Sequence, residues 1–164
     1  MAHPHKKAIA DMNPASLIAI IEESKMTYVR ENLSIFLHRS QIVLLKRVKK
    51  HEKPHHKKVR IREYEKAEKD DDLFNMHLGL YLNKYKKLEK NGLIKIDLNP
   101  DNGLAYDCSL TSKGIEILDE IARLENKWEE IVGISEEDRE VLKKLALDSF
   151  EISYQHKKKK GFIF

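Results

Sequence analysis

Two neighbouring stretches decide how this chain folds: "LEKNGLIKI", Leu88–Ile96, and "SLTSKGIEIL", Ser109–Leu118. The first ends a helix and begins a strand. Upstream of it Phe74, Leu78, Tyr81, Tyr85 and Leu88 recur at steps of four and three, which places them on one helix face. Asn91-Gly92 stops that helix, because glycine accepts a left-handed C-terminal conformation cheaply. "LIKIDL" then alternates as a half-buried strand does. "NPDNG" is a turn whose Asn-Gly pair tolerates positive φ, and "LAYDCSL" returns as a second strand. Thr111 is placed to cap a helix from Ser112 to about Val132, striped by Ile117, Ile121, Leu124, Trp128 and Ile131.

Working outward, Asn13-Pro14 is a good helix start, with Asn as cap and Pro at the first helical position. Leu17, Ile18, Ile20 and Ile21 supply the following apolar stripe. A second helical stretch is expected from about Asn32 to Lys50, where Leu33, Phe36, Leu37, Val43, Leu44 and Val48 recur. The pattern fits two helices or one long bent helix. Pro54 breaks it by removing a donor. "KVRI", Lys58–Ile61, has the length of a very short strand, and "REYEKAEK" reads as a short charged helix ending near Asp70. Towards the C-terminus, Ser135 and the acids Glu136, Glu137 and Asp138 open a last helix, since acids favour the positive dipole end. That helix carries Val141, Leu142, Leu145, Ser149 and Ile152 on one side.

The 164 residues suffice for one domain with a real core, and few glycines and prolines among many Lys, Glu, Leu and Ile point to a mostly helical protein. A single cysteine, Cys108, excludes an internal disulfide framework and fits a reducing, cytoplasmic setting. No apolar run approaches the roughly 20 residues that cross a bilayer, so no membrane partner is expected. The N-terminal stretch has no apolar core of the kind an export signal needs. Net charge is only +4, but it is segregated. Lys46–Arg62 holds one acid, Glu52; Lys84, Lys86, Lys87, Lys90 and Lys95 form a second basic group, and "HKKKK", His156–Lys160, a third. Acids collect at Asp70–Asp72 and between Glu116 and Glu140. A local positive face matters more to a polyanion than net charge does.

"LEKNGLIKI", a hairpin and "SLTSKGIEIL" at this separation resemble the MarR family of winged helix-turn-helix regulators. There a recognition helix ends in Leu-Glu-x-x-Gly-Leu, a β-wing follows, and Leu-Thr-x-x-Gly opens a long dimerisation helix. The likeness covers Phe74 to about Leu147, and the N-terminal helices by pattern alone. It implies that Leu88 and Leu93 pin the recognition helix to the core, that Gly92 turns the chain into the wing, and that Thr111 caps the next helix. Two positions depart from the family pattern. Where hydroxyl residues and an arginine usually face the groove, this chain has Gly79, Leu80, Leu82 and Asn83. Where an Asp-x-Arg element usually tips the wing, it has Asp101-Asn102-Gly103.

The DNA-binding residues expected on this resemblance are His77, Asn83, Lys84, Lys86, Lys87, Lys90 and Lys95. Asn83 has the amide that pairs bidentately with adenine, and His77 adds a contact just upstream. The lysines serve phosphate, which carries much of the affinity, so backbone contacts should dominate and the wing should stay marginal. His51, His55 and His56 lie among lysines that repel a cation, and no cysteine pair supports zinc, so no metal or cofactor is expected. Cys108 reads as a small strand hydrophobe rather than a redox sensor. No Gly-rich phosphate loop, Gly-x-Ser-x-Gly elbow or His-Glu-x-x-His is present, so the chain is not expected to be an enzyme.

The reading is an α+β, mainly helical chain: a winged helix-turn-helix with long N- and C-terminal dimerisation helices. Within a single domain, 14–50 form the N-terminal helices, 58–110 the winged helix-turn-helix, 112–157 the C-terminal dimerisation helices and 158–164 a basic and aromatic tail. Its expected partners are double-stranded DNA bearing a pseudo-palindromic site, a second copy as homodimer, and a small-molecule effector implied by the family alone. The alternatives are a winged-helix protein-interaction module, suggested by Leu80 and Leu82, and a non-specific nucleic-acid-binding protein using the same basic face. Trp128 and its stripe fit either dimer or domain core, and Phe162-Ile163-Phe164 either docks on a partner or frays.

Overall fold

The computed structural model describes residues 4–51, 83–98 and 106–159. Their elements are α1 (Pro4–Ala10), α2 (Pro14–Asn32), α3 (Arg39–His51), a helix α4 over 83–90, strands β1 (Ile94–Leu98) and β2 (Tyr106–Leu110), and helices α5 (Ser112–Val132) and α6 (Glu136–Lys159). The chain is thus mainly helical with one two-stranded antiparallel sheet among the described residues. It divides into two compact units, Met1–Glu125 and Asn126–Phe164. The expected strand at 58–61, the charged helix after it, the wing tip and the aromatic tail lie outside the described residues.

Helix α2 starts as its sequence dictates: Asn13 Oδ1 accepts the Ser16 N–H at 2.9 Å, with Pro14 in the first turn. The short α1 ahead of it was not expected. The stretch from Asn32 to Lys50 is not one helix, nor does its helix begin at Asn32. Leu33 turns extended, and the chain resumes helix only at Arg39. Polar side chains hold the break open. Ser34 gives its N–H and its hydroxyl to the two Glu120 oxygens at 2.6 and 2.7 Å, and Arg30 Nε donates to the Leu37 carbonyl at 3.1 Å. The Gln41 side chain accepts the His38 N–H at 2.8 Å, half of a capping box that starts α3.

Leu37, Leu44 and Val48 are buried as expected and Ile42 and Leu45 join them, whereas Phe36 and Val43, also expected in the core, are 70% and 53% exposed. The core of the first unit joins Met26 and Val29 from α2, Leu37, the α3 residues, Tyr85 and Leu88 from α4, Leu93, Ile94, Cys108 and Ile117, Leu118 and Ile121 from α5. The hairpin pairs Ile94 with Leu110, Lys95 with Ser109 and Ile96 with Cys108. This register puts Cys108 on the inner face, 1% exposed, as a small hydrophobe. The early part of the α5 stripe therefore serves its own unit's core.

In the second unit, Ser135 and Asp138 exchange caps: the Ser135 hydroxyl accepts the Asp138 N–H at 3.1 Å, and the Asp138 carboxylate accepts the Ser135 N–H at 2.9 Å. These bonds, the one to the Ser135 backbone first, hold the Asp138 carboxyl below its ordinary range. Beyond that cap, Val141, Leu142, Leu145, Phe150 and Ile152 are all exposed.

Candidate nucleic-acid interface

Helix α4 has two chemically distinct faces. Tyr85 and Leu88, at 1% and 0% exposure, are set into the core, where a side chain such as Leu88 contributes about 1.5–3 kcal/mol relative to exposure. Asn83, Lys86, Lys87 and Lys90 are exposed and Lys84 is half-buried. The spacing explains the split, since positions 83, 86, 87 and 90 recur with the helical period while 85 and 88 turn inward. Asn83, Lys84, Lys86, Lys87 and Lys90 together line an open groove of about 380 Å³. Lys86, Lys87 and Lys90 form no ion pair with any described acid, so their positive charge is not neutralised within the described structure. The structure therefore brings five of the seven sequence-selected residues to one surface. Lys95 stands exposed on β1 and is not among the residues lining that groove. His77, and with it Gly79, Leu80 and Leu82, lies outside the described residues, as does the wing tip at Asp101.

What holds this helix still is the corner after it. The Gly92 N–H bonds the Glu89 carbonyl at 2.8 Å and the Leu93 N–H bonds the Leu88 carbonyl at 3.0 Å. Gly92 sits at φ +76°, which only glycine adopts at little cost. This is a Schellman ending, and Leu88 and Leu93, its characteristic apolar pair, are both 0% exposed. The spacing Leu-Glu-x-x-Gly-Leu is the sequence of that ending.

The start of α5 then grips the same corner carbonyl by carbonyl. Lys113 Nζ donates to the Asn91 oxygen at 3.1 Å, the Thr111 hydroxyl to the Gly92 oxygen at 2.5 Å, and the Thr111 N–H to the Leu93 oxygen at 3.1 Å. Thr111 Oγ1 also accepts the Gly114 N–H at 3.0 Å, the cap expected of it. Gly114 leaves room for this approach: a Cβ there would lie 2.0 Å from the Leu93 oxygen. Sequence reasoning noticed Gly92 and Thr111 but assigned no role to Gly114, Lys113 or Glu89. Gly114 was legible as a glycine early in a helix, where it costs stability unless something must come close.

The basic stretch that begins at Lys46 differs. Lys46 Nζ contacts both Glu125 oxygens at 2.8 and 2.9 Å, and Lys25 Nζ lies 3.9 Å from Glu125 Oε2. Among the described residues no group of three or more His, Cys, Asp or Glu side chains is arranged to hold a metal ion, and no helix is long and apolar enough to cross a membrane.

No protein-family model matches the chain, and no curated protein matches it by sequence. Solved structures do match. A crystal structure of MarR shares 22% identity at a TM-score of 0.68, over 91% of this chain and 96% of that one. An S. aureus MepR–DNA complex shares 17% at 0.60, over 86% and 98%. A MarR protein from Peptoclostridium difficile shares 18% at 0.61, over 91% and 92%. These likenesses, at low identity and nearly full coverage, establish that the chain has the winged helix fold of MarR-type regulators.

Proposed function

We propose that this chain is a DNA-binding transcriptional regulator that acts as a homodimer on pseudo-palindromic duplex sites, by binding rather than by catalysis. One observation carries the reading: α4 presents Asn83, Lys86, Lys87 and Lys90 outward while Tyr85 and Leu88 anchor its opposite face. Fixed cations without carboxylate partners are what phosphate neutralisation needs, and a rigid mount is what register on a duplex needs. The S. aureus MepR of the same fold was solved with DNA, which supports the choice of partner. Asn83 supplies the direct base contact, and Lys84 and Lys95 add backbone contacts at the margins.

Two-fold symmetry would set paired α4 helices into successive major grooves, about 34 Å apart. Support for the dimer comes from apolar surface that each unit leaves uncovered: Ile18, Ile20 and Ile21 on α2, and Val141, Leu142, Leu145, Phe150 and Ile152 on α6. A small-molecule effector that relieves binding belongs to the same proposal through the family resemblance.

The test is binding of random-sequence and selected duplexes at two salt concentrations. The reading expects enrichment of a pseudo-palindrome and affinity that falls as salt rises. Binding without enrichment would favour a non-specific nucleic-acid-binding protein, and no binding at low salt a protein-interaction module.

A further inference from the structure

Within residues 83–90 the single acid is Glu89, one residue before Lys90 and three after Lys86. Its spacing from Lys86 is that of an i,i+3 ion pair, and such pairs do close elsewhere in this chain: Lys25–Glu22 at 2.8 Å, Lys143–Glu140 at 3.0 Å and Lys127–Glu130 at 3.6 Å. The Lys86–Glu89 pair stays open. Instead Glu89 Oε2 accepts the backbone N–H of Ile96, in β1, at 2.7 Å. A carboxylate accepting an N–H makes a charge-assisted bond, stronger than an amide–carbonyl one. The partner is significant too. Ile96 lies opposite Cys108 in the hairpin register, a position whose N–H faces away from β2, and that outward N–H is the one Glu89 takes.

We infer that Glu89 is a positioning residue: by accepting the Ile96 N–H it fixes β1 against the lysine-bearing helix, and the same bond holds the acid at the strand instead of among the lysines. This deepens the DNA-binding reading and rests on it. Two effects of opposite sign follow. The bond orients the helix relative to the hairpin, so losing it weakens DNA binding. The negative charge opposes phosphate, so losing the charge alone leaves binding equal or tighter. Glu89→Gln removes the charge and keeps an acceptor oxygen; Glu89→Ala removes both.

The experiment uses the full chain. Amide hydrogen exchange of Ile96 is followed in the free protein, and titrations with a duplex enriched by the unaltered chain are run at two salt concentrations. Exchange at Ile96 should quicken roughly fivefold or more in Glu89→Ala and clearly less in Glu89→Gln, which keeps a neutral acceptor. Glu89→Gln should bind DNA as tightly as the parent or more so, and Glu89→Ala roughly fivefold more weakly than Glu89→Gln. Unchanged exchange in Glu89→Ala, or equal DNA affinity of the two variants beside normal parental binding, overturns the positioning role alone. No binding by the parent at low salt, even to random-sequence duplex, overturns the DNA reading and the positioning role with it.

Discussion

On α3, Lys46 reaches both oxygens of Glu125, with Lys25 of α2 close by, whereas on α4 Lys86, Lys87 and Lys90 stand exposed with no ion pair to a described acid. Both helices look equally basic as strings of letters. In three dimensions Lys46 is a cross-brace: it joins α3 to α5 through an acid that also faces α2. Lys86, Lys87 and Lys90 form no such ion pair among the described residues. The difference teaches that a count of lysines is not a measure of attraction for a polyanion. What matters is which cations lack a carboxylate and whether the backbone carrying them is fixed.

The largest expected effect concerns that fixing. Gly114→Ala would place a methyl group against the Leu93 carbonyl, so the corner or α5 must move. A loss of about 3 kcal/mol or more is expected in urea unfolding, with α4 loosened. A fully stable Gly114→Ala chain would break the claim that α5 mounts the helix. Next comes Asn83→Ala, expected to relax preference at one base position and cost about 1–3 kcal/mol on selected DNA. An equal loss on every sequence would make Asn83 a phosphate contact, the role proposed for its lysine neighbours.

Glu125→Gln sharpens the comparison from the other side. It should cost only about 0.5–1 kcal/mol of stability, because the pair is partly solvated. Any gain in DNA affinity would show that freeing Lys46 creates a phosphate contact. The smallest effect lies in the second unit. Asp138 has a folded pKa below its ordinary 3.8, so its cap contributes stability that is complete above that value and lost as pH falls through the lower, folded one. Following α6 helicity from pH about 5 to about 2 should show this acid-side loss, and Asp138→Asn should remove the dependence.

The helix caps and the Gly92 turn were legible from one sequence because they are built locally, unlike the grip of Thr111 and Lys113 on the corner 19 and 22 residues back. Asn13, Thr111 and Ser135 act within three residues of themselves, and the Gly92 turn is written in its own neighbours. What was not legible depends on partners far along the chain. Phe36 fits an apolar stripe only if the helix runs through it, whereas Ser34 bonding Glu120, 86 residues away, holds a break there. The stripe Ile117, Ile121, Leu124, Trp128 and Ile131 fits dimer seam or core equally as a sequence; its first members are buried in their own unit, while Ile131 is 62% exposed. Of the candidate site, the lysines were legible from charge segregation together with the family resemblance that places them on a recognition helix. That Lys46 is paired and Glu89 is turned to a strand needed coordinates, since ion pairs and edge contacts leave no periodic trace.

The most direct test of the central claim is the salt dependence of DNA binding for two variants side by side: Lys86→Ala/Lys87→Ala/Lys90→Ala and Lys46→Ala. The account predicts that the first lowers the slope of log affinity against log salt by about 0.9 for each phosphate that is no longer neutralised, on every sequence. It predicts that Lys46→Ala leaves the slope at the parental value. A slope that falls with Lys46→Ala and holds with the α4 variant would contradict it, and would move the DNA-facing surface from α4 to α3.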